Sequence, residues 1–179
     1  MGCYKVLSNP MHNIESTIKY KGLYRSEPFP KSDTNKRFMS LWNRYCGYYE
    51  PLYNMGITTE LTLSELKEFA ILATQETGES FEVIYFSYGM KCLHESLYYG
   101  ADVTGVGGYS MVGGDFFTDG ISPVLDIINQ HFEAKLNQYG LFSTNDDAMN
   151  FLAVLLELDK LNVALENEDW RVVHVFRVI

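Results

Sequence analysis

The sequence predicts an α+β fold: a single domain over residues 1–179, with a mixed or antiparallel sheet, the C-terminal strand central in it, and helices packed on the sheet. Three observations lead there. The chain ends on a helix-to-strand unit, in which Ala148, Phe151, Leu152, Leu155 and Leu158 recur at helical spacing before an acidic break and the strand W-R-V-V-H-V-F-R-V-I. Both alternating sets of that strand are largely apolar, Trp170, Val172, Phe176 and Val178 on one side and Val173, Val175 and Ile179 on the other. A strand apolar on both sides has both faces covered, which places it inside a sheet. Strand and helix patterns also alternate irregularly along the chain, which favours α+β over a doubly wound sheet.

In order, residues 3–8 read as a strand, and 14–24 carry a loose alternation that could pair as another. Pro28 and Pro30 then stop regular structure, because proline removes backbone donors and restricts its neighbours. Residues 1–60 are thus open to forming a more irregular N-terminal lobe. Ser32 or Asp33 can cap a helix carrying Phe38, Leu41, Trp42 and Tyr45, closed by Gly47. Tyr45, Tyr48, Tyr49 and Tyr53 surround Pro51 in an aromatic loop. Thr62 with Glu65 has capping-box spacing and opens a helix with Leu63, Leu66, Phe69, Ala70 and Ala73 on its apolar side, and Gly78 stands where a helix terminator belongs. Residues 81–88 form the strongest internal strand, and 90–99 read as a short helix stopped by Gly100. Ser122 and Pro123 suit the cap and first turn of a helix bearing Val124, Ile127, Ile128, Phe132 and Leu136, closed by Gly140. Ser143 with Asp146 has the spacing of a further capping box, at the head of the last helix.

A chain of 179 residues with 46% apolar content can bury a substantial core. Cys3, Cys46 and Cys92 are odd in number and widely spaced, which fits neither a disulfide framework nor a zinc site and suits a reducing cytosol. The N-terminus lacks the basic-then-apolar pattern of a secretory signal, and the longest apolar run, residues 151–156, is too short to span a bilayer. A soluble, cytoplasmic protein without membrane contact is expected.

Net charge is −9, unevenly distributed. Residues 1–90 hold nine Lys/Arg and ten Asp/Glu; residues 91–179 hold five and thirteen. Residues 19–44 carry seven basic side chains against Glu27 and Asp33, a candidate second contact surface. The overall acidity argues against direct nucleic-acid binding and favours a basic protein partner.

The candidate chemical motifs fail on particular residues. Gly105 and Gly107 begin like a dinucleotide fingerprint, but Ser110 occupies the third glycine position; Gly108 and Gly113 have P-loop spacing, but Gly114-Asp115 replaces Lys-Ser/Thr. No cofactor and no metal site is expected. The stretch from Tyr85 to Gly89 has the layout of a nucleophile elbow around Ser87, with Tyr85 in place of the first glycine. His94, His131 and His174 lack a carboxylate partner that spacing can locate, and His174 reads as a hydrogen-bonded structural residue. No catalytic residue is assigned on these grounds. The expected partner surface is Asp102, Tyr109, Asp115, Asp119, Glu166, Glu168 and Asp169, all in expected loops.

Two resemblances bear on function. The stretch L-N-Q-Y-G-L-F-S-T-N-D-D-A at 136–148, the helix after it and the closing E-D-W-R-V-V-H-V-F-R-V strand resemble immunity proteins of bacterial contact-dependent growth inhibition and related polymorphic toxin systems. That resemblance implies a non-enzymatic protein that neutralises a cognate toxin domain, commonly a basic nuclease, by occluding its substrate site. An acidic anti-defence inhibitor of phage origin would act in the same way. Alternatively, Leu23-Tyr24-Arg25 and Glu166-Asn167-Glu168 look like the arginine and the E-x-E of ADP-ribosyltransferases. This would make Arg25 a nicotinamide-dinucleotide binder and Glu168 the catalytic carboxylate, although the family's Ser-Thr-Ser strand is missing.

Overall fold

The computed structural model describes residues 2–9, 12–13, 23–24, 28–31, 35–46, 61–92, 94–104, 135–139, 141–160 and 170–179. The elements are β1 (Gly2–Asn9), β2 (His12–Asn13), β3 (Leu23–Tyr24), α1 (Lys36–Cys46), α2 (Leu63–Thr77), β4 (Ser80–Ser87), β5 (Ser96–Thr104), α3 (Asn145–Lys160) and β6 (Arg171–Val178). Four strands form one sheet in the order β1-β4-β6-β5, and each neighbouring pair is antiparallel. β2 and β3 make a separate antiparallel pair. The fold is α+β, and the C-terminal strand lies inside the sheet as its sequence predicts.

Strand alternation explains how β6 can be apolar on both sides. Phe176 and Val178 join Val6, Phe81, Val83 and Tyr85 on the face that packs against Phe38, Leu41, Phe69 and Ala73 of α1 and α2. Val173 and Val175 join Leu7, Ile84 and Phe86 on the opposite face, with Tyr99 and Leu141. One-residue alternation therefore feeds two hydrophobic clusters. On α3, Ala148, Phe151 and Leu155 are buried, and Phe151 meets Phe142 with ring centroids 5.3 Å apart.

Local signals hold best at α2. Thr62 accepts from the Glu65 amide, Glu65 accepts from the Thr62 amide at 2.9 Å, and Gly78 adopts a left-handed φ of 78° with its N–H on Thr74 O. Two other caps are displaced. Asn35, rather than Ser32 or Asp33, caps α1 by accepting from the Phe38 amide at 3.0 Å; residues 32–34 are outside the described residues. At α3 the cap is Thr144 with Asp147, one residue beyond the expected Ser143 and Asp146.

One element changes type. The helix expected over 90–99 is replaced by β5, which pairs with β6 from Ser96 to Thr104. Gly100 does not terminate a helix: at φ 146° it sits where the register shifts between Tyr98 and Gly100. The tyrosines and Val103 suit a pleated, half-buried surface, and pairing with β6 overrides the local helical reading. The expected helix over 124–136 and the glycine-rich stretch 105–120 lie outside the described residues, apart from Leu136, which bridges Phe142. Of the expected aromatic loop only Tyr45 is described; it is a buried residue of α1.

Candidate functional site

The sheet brings polar side chains into the core at two places, on opposite faces. On the Leu7–Ile84 face, Glu82 stands alone among the apolar residues of β4, and its side chain is 5% exposed. Tyr99 on β5 donates its hydroxyl to both carboxylate oxygens, at 3.1 and 2.9 Å, and Arg177 on β6 approaches Oε1 with Nε at 3.0 Å. Burying a carboxylate demands such partners. Tyr99 is fixed in turn: Tyr139 stacks on its ring at 4.1 Å, and Asn137 Nδ2 donates to its backbone carbonyl at 2.8 Å. The group is a satisfied charge network joining β4, β5 and β6.

On the opposite face a row of aromatic rings crosses all four strands. Tyr4 lies opposite Tyr85, Tyr85 opposite Phe176, and Phe176 opposite Tyr98. Successive ring centroids are 4.8, 6.5 and 5.2 Å apart, distances typical of cross-strand aromatic pairs. Burial, helped by nearby Tyr85 and Cys92, pushes the Tyr4 phenol above its usual pKa. At the β5 end, the Tyr98 hydroxyl lies 3.1 Å from Nδ1 of buried His174. Burial lowers the His174 pKa and raises that of Tyr98, so a neutral imidazole faces a neutral phenol. This is the hydrogen-bonded structural role expected of His174.

Ser87 is not placed as a nucleophile. It is buried at the end of β4, its Oγ accepts from the Gly89 amide at 3.1 Å, and the chain continues into a strand where an elbow requires a helix. Its hydroxyl closes a turn. His94 is exposed and lies against Tyr4, with ring centroids 5.9 Å apart. Among the described residues, no group of three or more His, Cys, Asp and Glu could hold a metal ion. Also among them, no helix is long and apolar enough to cross a membrane.

Of the expected partner surface, Asp102 requires correction. It is a fully buried residue of β5 rather than part of a loop, and its carboxylate accepts from the Val103 amide at 2.8 Å. Pairing of β5 with β6 draws it in. Tyr109, Asp115, Asp119, Glu166, Glu168 and Asp169 lie outside the described residues, as do Arg25 and His131.

The basic segment is also partly accounted for. Arg37 holds Glu68 through two hydrogen bonds of 2.8 and 2.6 Å, Arg44 holds Glu65 at 2.6 Å, and Lys31 Nζ donates to Thr77 O at the C-terminal end of α2. The Arg44 guanidinium, followed by hydrogen bonds from Thr62, holds the Glu65 carboxyl down to about 2. Among the described residues, Lys31, Arg37 and Arg44 thus fasten this segment to α2.

Sequence reasoning missed the Glu82 network, although a signal was present: F-E-V-I-Y-F places one acid in a strand otherwise apolar on both faces. Such an acid needs a buried partner. Its partners come from strands far along the chain, which pattern alone cannot pair. No protein-family model matches the chain, and no curated protein or solved structure matches it significantly.

Proposed function

We propose that this is a small cytoplasmic binding protein that neutralises a cognate protein toxin domain, a basic one such as a nuclease, by covering its substrate site. The observation that carries this reading is the charge asymmetry: residues 91–179 hold thirteen Asp/Glu against five Lys/Arg. The engagement of Arg37, Arg44 and Lys31 with α2 supports it, because those cations face acids and a helix terminus of their own fold. A one-signed surface steers an oppositely charged partner and repels nucleic acid, so an acidic inhibitor can occupy a cationic substrate groove.

The test is affinity capture from the native host with the tagged full-length chain, at low and high salt. The reading expects one basic polypeptide in stoichiometric amount, released by salt, whose enzymatic activity falls when the purified protein is added. Recovery of no such polypeptide, or a recovered polypeptide with undiminished activity, would overturn it. Charge reversal at Asp115, Asp119, Glu166 and Glu168 together is expected to weaken the complex, and unchanged affinity would remove those residues from the surface.

A further inference from the structure

We draw no further inference here: the strongest candidate, the surface patch at the β5–β6 end of the sheet where exposed Leu97 and Ile179 stand beside Arg177, carries nothing, because Arg177 is already held by Glu82 and nothing in the structure shows what covers the two apolar side chains.

Discussion

Gly100→Ala is the substitution that most directly tests why β5 is a strand. Gly100 has φ 146°, and a Cβ added there would lie 2.8 Å from Leu141 Cβ, 2.8 Å from Phe142 O and 3.0 Å from Asn137 Nδ2. None of these atoms can retreat freely. Phe142 O accepts from the Ala101 amide at 2.9 Å, and Asn137 Nδ2 donates to Tyr99 O at 2.8 Å. Backbone strain of about 1–3 kcal/mol adds to overpacking of about 1–3 kcal/mol, giving a loss of roughly 2–6 kcal/mol. Gly78→Ala is the matched comparison, because φ is 78° but no atom lies within 4 Å of the added Cβ. Strain alone then costs about 1–2 kcal/mol. At about 2–4 °C per kcal/mol for a chain of this size, the melting temperature falls by roughly 4–24 °C for Gly100→Ala and 2–8 °C for Gly78→Ala. Urea unfolding followed by tryptophan fluorescence measures both variants, with an unchanged m value as the check that the denatured state is comparable. A Gly100→Ala loss no larger than that of Gly78→Ala would refute the close approach of Asn137, Leu141 and Phe142 to β5.

Tyr45→Phe removes the hydroxyl that accepts from the Val6 amide at 3.0 Å, so a buried N–H on β1 loses that partner. The expected loss is about 1–3 kcal/mol, with faster hydrogen exchange at Val6 as the local readout. Arg44→Ala removes the main cause of the low Glu65 pKa, and carboxyl NMR titration should show it rising from about 2 towards 4.5. In the wild type, the contribution of Glu65 is present above its unfolded value near 4.5 and is lost as pH falls towards 2. His174 has a depressed folded pKa, so its contribution is complete above the ordinary value of 6.5 and is lost as pH falls through the folded value. Thermal unfolding between about pH 5 and pH 8 should therefore depend less on pH in His174→Gln than in the wild type.

The legible parts of this fold are those specified within a few residues. Thr62, Glu65 and Gly78 define both ends of α2 because capping and the left-handed terminator are local geometry. β4 and β6 are legible because both alternating sets are apolar, a pattern that only an interior strand satisfies. The caps of α1 and α3 were displaced where several acceptors compete: in S-T-N-D-D, both Ser143 with Asp146 and Thr144 with Asp147 have the right spacing, and burial of Ala148, Phe151 and Leu155 accompanies the second choice. β5 was illegible for a different reason. Its strand state comes from pairing with residues 171–178, and Gly100 serves a bulge as naturally as a helix end. Asp102 was misplaced for the same reason, since it goes inward with its strand. Glu82 could have been singled out as a lone acid in an apolar strand, but Tyr99 and Arg177 could not be assigned to it without the sheet order.

The sheet order also alters how the charge should be read. By sequence, residues 19–44 form a cationic island that could offset the acidic second half or contact a partner of its own. In the structure, Arg37 and Arg44 point across the α1–α2 interface to Glu68 and Glu65, while Lys31 reaches the carbonyl end of α2. These exposed or part-exposed pairs add little stability each. Their larger consequence is electrostatic, because a cation held against a carboxylate or a helix C-terminus projects little field beyond about one Debye length, near 8 Å at physiological salt. In the second half, Lys135 is held in the same way by Asp147 at 2.6 Å, and Arg177 by buried Glu82. Among the described residues, Lys135 and Arg177 thus meet acids inside the fold. Each pair also neutralises its own carboxylate, so these contacts remove the local cationic island without changing the acidic excess that the residue totals give the second half. If the proposed acidic inhibitor is steered to a basic partner by this excess, a salt-sensitive association rate with a less salt-sensitive dissociation rate is the expected kinetic signature.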